Sequence, residues 1–308
     1  MSDTTDYNIT GRQFFVGAST AAGASVRGVR KANLFATVND ALAKCVADRG
    51  DVVTLLPGHV AAITAADMWS SLVAGVTIQS VPGAVGNQRA IVRWSAAAGT
   101  LLMDQAGTVL RNLRLQMAGD PSATTALTVA APITCSAAGC AVLDCDWQVG
   151  VDADQIVTVA FTTTAAANDL RIERNRIIGA VAAEITAAGT VIRLVGADGA
   201  VIRDNYIAAA LATDTDGLIE TITTLSDNLD ISRNFFYSNG AGSTCALDFG
   251  QDLVNSGQVR DNLLVVDADG TAVTVALTQH ANSNLALLDN FMVSNNGERG
   301  LVIGTAST

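Results

Sequence analysis

Between residues 172 and 207 the chain reads Ile172-Glu-Arg-Asn175-Arg-Ile177 and then, thirty residues on, Ile202-Arg-Asp-Asn205-Tyr-Ile207. The pattern returns as Ile231-Ser-Arg-Asn234-Phe-Phe236, Val259-Arg-Asp-Asn262-Leu-Leu264 and Leu287-Leu-Asp-Asn290-Phe-Met292. Upstream, Val142-Leu-Asp-Cys145 and Val109-Leu-Arg-Asn112 fill two more slots, so that from 112 the steps are 33, 30, 30, 29, 28 and 28 residues. A period of this size belongs to a repeat architecture, in which each unit buries its apolar face against the next. An aliphatic residue stands three before each Asn, and the last five units place another apolar residue two after it; Arg114 departs from this rule.

Between Asn175 and Asn205 lie three β-rich pieces, 176–178, 190–195 and 200–203, separated by Gly and Asp-Gly turn signals. Three strands per repeat make one turn of a solenoid. The Asn has a physical role at a sharp corner between strands, where the left-handed backbone region is needed and Asn tolerates it better than other non-glycine residues. Stacked coils would align the amides into a hydrogen-bonded ladder. A leucine-rich repeat also fits 170–177, but the spacers are rich in Thr, Val, Ala and Gly and lack its leucine-spaced helical segment. The fold class expected is therefore all-β, a single-stranded parallel β-helix.

Two earlier strands, in 51–56 and 75–80, bring the expectation to about nine coils, or roughly 43 Å of stacked strands at about 4.8 Å each. The residues before the repeated position are Arg111, Asp144, Arg174, Asp204, Arg233, Asp261 and Asp289. Their sign alternates up to the last pair, as a register-fixing charge ladder would. Phe35, Val38, Leu42 and Val46 share one side of a helix ended by Gly50, predicting an N-terminal capping helix at about 35–48 that covers the first strand edge. The division expected is an N-terminal arm at 1–32, basic with Arg12, Arg27, Arg30 and Lys31, and a β-helix domain at 33–308.

Composition agrees with many strands and few helices. Of 29 acids 25 are Asp, and Lys31 and Lys44 are the only lysines, so the usual formers of exposed helices are scarce. A net charge of −11 opposes a nucleic-acid partner, whose phosphates need Lys and Arg. No apolar run of about 18 residues could span a bilayer, and the first six residues lack the basic and apolar segments of a signal peptide. The odd set Cys45, Cys135, Cys140, Cys145 and Cys245 fits a reducing compartment, and the central three lack the spacing of a metal-chelating turn.

The segment from Phe35 to Lys44, then Gly50-Asp-Val-Val-Thr-Leu-Leu-Pro-Gly58 and Gly75-Val-Thr-Ile-Gln79, resembles the opening of pectate-lyase-like right-handed parallel β-helices, above all those of tailed-phage virions. The resemblance spans about 33–308 and implies a right-handed solenoid. It also implies either a structural protein that decorates or cements the capsid, or a tailspike or fibre module that binds or cleaves surface polysaccharide.

Chemistry on such a fold calls for paired carboxylates or a carboxylate-held Ca²⁺. Asp152/Asp154, Asp214/Asp216 and Asp267/Asp269 are the Asp-x-Asp candidates, but they fall at different offsets from the repeated Asn. His59 and His280 are far apart in stacking order, and only Trp69, Trp94 and Trp147 are available for sugar stacking. The Asn-Thr-Asp, Asp-Asp, His-Gly and Arg-Ile-Lys motifs of the similar polygalacturonases are absent. The expectation is thus a non-enzymatic virion protein made in the host cytoplasm, with no catalytic, metal or cofactor residues. Its partners would be a major capsid protein or other virion proteins, or further copies of itself, as in a trimer. The glycan-binding or glycan-cleaving module is the alternative.

Overall fold

In the computed structural model the chain is a parallel β-solenoid built from three long sheets. The structure describes residues 11–17, 31–70, 72–117, 127–149, 155–179, 188–210, 217–239, 245–249, 255–267, 275–279, 284–294 and 299–303. Sheet A, which precedes the repeated corner, has eleven strands, with Leu34–Phe35 and Gln13–Val16 at one edge and Asn284–Leu288 at the other. Sheet B follows the corner and runs through nine strands from Val60–Ile63 to Phe291–Ser294. Sheet C also has nine, from Leu101–Met103 to Arg299–Ile303, with Leu127–Val129 pairing beside Gln155–Thr163.

Period-two alternation in each strand sends one set of side chains inward. Ile172, Ile202, Ile231 and Val259 line the interior from sheet A, and Ile177, Ile207, Phe236 and Leu264 face them from sheet B, all buried. In-register pairing keeps like beside like, as in Ile172↔Ile202↔Ile231.

The corner between sheets A and B differs from expectation by one residue. The left-handed residue is the one before the Asn: Asp144, Arg174, Asp204, Arg233, Asp261 and Asp289 have φ between 49° and 57°. Asn112, at φ 52°, belongs to that column and not to the amide ladder. Pairing of Arg114 with Asp146 sets Leu113, fully buried, opposite Cys145, so the first step is 32 residues and Leu115 fills the inner slot that Arg114 had left unexplained. Arg111 is likewise a strand residue, although it still pairs with Asp144 at 3.2 Å.

The ladder itself runs through Asn175, Asn205, Asn234, Asn262 and Asn290. Each Oδ1 accepts the backbone N–H of the coil before it, from Cys145 N–H→Asn175 (2.9 Å) to Asn262 N–H→Asn290 (3.1 Å). Each Nδ2 donates back to a sheet A carbonyl, as Asn205 does to Ile172 at 2.8 Å. Between sheets C and A a second left-handed column contains Asp48, Gly75, Gly107, Gly139, Asp169, Gly199 and Asn228. Gly199 has φ 70°, and a Cβ there would lie 2.6 Å from Asp169 Oδ1, so a side chain would have to displace that carboxylate.

At the N-terminal end the helix is shorter than the predicted 35–48. It covers Val38–Leu42, capped by the Thr37 hydroxyl, which accepts the Asp40 N–H at 3.1 Å. Past Leu42 the backbone tightens, with the Lys44 N–H on Ala41 at 3.0 Å and the Cys45 N–H on Leu42 at 2.9 Å; the buried Asp51 carboxylate then takes the Val46 N–H at 2.8 Å, and Val46 itself is exposed. Within 1–32, Gln13–Val16 is a sheet A strand paired along its length with Val52–Leu55, and Phe14 and Val16 are buried. Asp51 also accepts the Arg12 N–H at 2.7 Å. Burial opposes ionisation of Asp51, but bonds from Arg49, Arg12 and Val46 outweigh it and hold the carboxyl below its ordinary range.

Candidate functional site

Parallel stacking turns residues one coil apart into rows along the axis, so each outward row is a linear surface with a rung about every 4.8 Å. On sheet C the register Thr134↔Thr162↔Arg193↔Glu220↔Asp248 defines five consecutive polar rungs. The neighbours of these residues along each strand, Ile133 and Cys135, Ile192 and Leu194, Ile219 and Thr221, Leu247 and Phe249, point inward and are buried. Four steps make the track about 19 Å long.

Its centre is charged. The Arg193 guanidinium forms an ion pair with Glu220, and Asp248 stands on the next rung. Glu220 is 1% exposed and Asp248 6%, although both lie on the outer side of the sheet. Two carboxylates directly opposite each other in neighbouring strands destabilise a sheet. The corner column avoids this along most of its length by alternating sign, with Asp144–Arg174 at 2.7 Å and Asp204–Arg233 at 2.8 Å. Sheltered clusters of acids and a cation occur at proton-transfer sites and in structural ion-pair networks alike.

The acids named from the Asp-x-Asp pattern are not brought together. Asp267 ends a sheet B strand and accepts the Tyr237 hydroxyl at 3.0 Å. Asp152, Asp154, Asp214, Asp216, Asp269 and His280 lie outside the described residues. His59 is buried in the turn after Val52–Leu55, where desolvation depresses its pKa. Trp94 and Trp147 stack on one another in the interior with ring centroids 6.5 Å apart, and Trp69 is buried as well, so none of the three is available to a sugar.

Neither the repeated Asn nor the Asp-x-Asp pattern leads to Glu220 and Asp248. The signal was present: Arg193, Glu220 and Asp248 are 27 and 28 residues apart, one coil each. Each also stands between two buried neighbours, in Ile192-Arg-Leu194, Ile219-Glu-Thr221 and Leu247-Asp-Phe249. Among the described residues no group of three or more His, Cys, Asp or Glu could hold a metal ion.

A second outward surface lies on sheet B, where the register Arg114↔Asp146↔Arg176↔Tyr206↔Phe235↔Leu263↔Phe291 passes from charged to apolar. Arg114 reaches Gln148 at 3.3 Å and Arg176 reaches Asp146 at 3.1 Å. The rings of Tyr206 and Phe235 stack at 4.8 Å with 11° between planes, so each turns one face to the other and presents edges outward.

No family model matches the chain, and neither does any curated protein. Among solved structures it is similar to an alginate lyase from Paenibacillus sp. str. FPU-7, at 12% identity and a TM-score of 0.42, with 96% of this chain and 99% of that one covered. It is also similar to the A-module of a mannuronan C-5 epimerase from Azotobacter vinelandii, at 10% identity and a TM-score of 0.25, with 84% and 91% covered. Both of those proteins are enzymes, which runs against the expectation of a non-enzymatic chain.

Proposed function

We propose that the chain is a polysaccharide-acting β-helix, of the tailspike or fibre type, whose reacting groups lie in the outer row of sheet C, where Thr134, Thr162 and Arg193 are partly exposed and Glu220 and Asp248 are sheltered beside them. The observation that carries this reading is the placement of Glu220 and Asp248 on adjacent rungs beside Arg193. A rung spacing of about 4.8 Å approaches the roughly 5 to 5.5 Å between carboxyls that cleave glycosides through a covalent intermediate. In that scheme Glu220, oriented by Arg193, attacks the anomeric carbon to form a glycosyl ester while Asp248 protonates the leaving oxygen, and the Asp248 carboxylate then takes a proton from the water that hydrolyses the ester. Thr134 and Thr162 extend the track on one side with hydroxyls, and a sugar repeat of about one rung would keep a linear glycan in step with the coils.

The test is incubation of the purified chain with alginate, pectin-type polymers and bacterial capsular polysaccharides, with and without Ca²⁺, followed by assay of new reducing ends. Glu220→Gln and Asp248→Asn should each lower turnover on the cleaved polymer by about 10²-fold or more, assayed well below each variant's own melting temperature. If both variants cleave as fast as the parent, the row is structural and the reading fails. New ends that absorb in the ultraviolet as unsaturated uronates would replace hydrolysis by elimination.

A further inference from the structure

Toward the C-terminal end, the outer face of sheet B loses its charges. Past Arg176 its first outward column reads Tyr206, Phe235, Leu263 and Phe291. The second, two residues further along each strand, reads Ala208, Tyr237, Val265 and Val293. The Tyr237 hydroxyl is the one polar side-chain atom of these eight, and it donates to Asp267 at the margin. Phe291 is 66% exposed, Tyr206 42% and Val293 38%. A contiguous apolar face rimmed by polar residues marks a contact surface, whereas single exposed apolar side chains need no explanation. Between Val265, Asp267 and Val293 the second column leaves a hollow of about 180 Å³. The first column thus ends in a knob, the Phe291 ring, and the second in a hole.

We propose that this face is where two copies of the chain pair side by side, about a two-fold axis parallel to the solenoid axis. Such an axis keeps the coils of both copies level and reverses the strand direction. Each rung then meets the same rung, and the first column of one copy lies over the second column of the other. Phe291 enters the hollow between Val265 and Val293 of the second copy, and Tyr206 stands over Ala208, the smallest side chain of the column. Both contacts occur twice, and the shared coil spacing of about 4.8 Å keeps the rungs between them in step. No charge is set against another within these two columns, which matters for bodies that each carry −11. Only Asp261 and Asp267, at the two margins of the Leu263 rung, set like charges across the contact, so added salt should tighten it. A sugar fits this face less well, because Tyr206 and Phe235 turn their ring faces to each other and leave edges outward. Four rungs fall at or below the low end of specific interfaces, roughly 1,200 Å² in total, so the dilute chain is monomeric and pairing grows with concentration. The contact lies on a different sheet from Glu220 and Asp248 and does not depend on the chemistry of that row.

Sedimentation velocity of the full chain over a concentration series tests this. The weight-average mass should climb from one chain toward two, with a midpoint that falls as salt is added. Phe291→Glu removes the knob and Val293→Glu puts a charge at the hole, and each should raise the midpoint by about tenfold or more. Val85→Glu, at a valine 65% exposed in the turn before Ile91–Trp94, should leave it unchanged. Phe291 and Val293 are exposed, so neither substitution opens the core, and should one variant fail to fold the other decides. A parent that stays a single chain at every concentration overturns the proposal, as does association that these two variants leave intact. Retention of a monomeric parent on immobilised polysaccharide, lost in Phe291→Glu, would also overturn it and give the face to a sugar.

Discussion

A single residue position at the corner between sheets A and B separates two jobs. The residue before each Asn supplies the left-handed turn, and the Asn supplies hydrogen bonds. Replacing Asn205 by Val therefore needs no backbone strain to do harm. It orphans the buried Asn175 N–H and the Ile172 carbonyl, which should cost about 1 to 3 kcal/mol in denaturant unfolding, a penalty typical of unmet buried polar groups. Cys145 and Leu113 show that the slot accepts a side chain without an amide where the ladder ends. In the turn column Asp261 and Asp289 are like-charged neighbours, while Arg174 and Arg233 hold the same backbone conformation without difficulty. Asp289→Arg should leave the unfolding midpoint unchanged or raise stability by about a few tenths of a kcal/mol. A clear loss of stability would refute the charge-ladder account. His59 adds a pH dependence, since burial favours its neutral form and depresses its folded pKa below 6.5. Its contribution to stability is present above pH 6.5 and is lost as pH falls from there toward the folded value, a loss that His59→Gln should remove from the melting profile.

Among elements, those with a period were legible and those without were not. Sheets A and B follow from an apolar residue three before and two after each Asn, because inward positions repeat whenever coils stack in register. The one-residue slip at Asn112 arose because an Asn in the turn and an Asn in the ladder look alike in a sequence, and only the Arg114↔Asp146 pairing tells them apart. The periodicity of 35–46 suggests a longer helix than forms, because it says nothing about the tightened turn at Lys44 and Cys45 or the Asp51 carboxylate that binds the Val46 N–H. The sheet C row carries no repeated motif, since its rungs pass from Thr134 and Thr162 to Arg193, Glu220 and Asp248, and its chemistry shows only once the coils are superposed. Sheet A holds a related case in Glu173, which is fully buried beneath Arg171 (2.8 Å), Arg174 (2.9 Å) and Arg203 (3.2 Å). Burial raises the cost of its charge, but the three guanidiniums prevail and hold the carboxyl below its ordinary 4.5. The stability this provides is present above pH 4.5 and is lost as pH falls through the depressed folded value. Glu173→Gln should therefore melt at a lower temperature at neutral pH and show a weaker further decline in acid.

For the molecule as a whole, the N-terminal segment is part of the wall. Deleting residues 1–32 removes the strand Gln13–Val16, bares the edge of Val52–Leu55 and takes one hydrogen bond from the buried Asp51. The truncated chain should melt several degrees lower and self-associate through that edge, which light scattering would register. A truncated chain that stays monomeric with an unchanged melting temperature would show that the strand contributes nothing to the fold. The amide ladder has a further consequence, which concerns time. All its bonds from backbone to side chain point the same way, each coil donating to the Asn of the coil after it. No corner has its acceptor until its successor has been laid down, so a nascent chain emerging from its N-terminus carries one unfinished corner at its growing front. Synthesis and folding then advance in the same direction, and a pause between Asn205 and Asn234 would leave the Asn205 N–H waiting for the coil still to come.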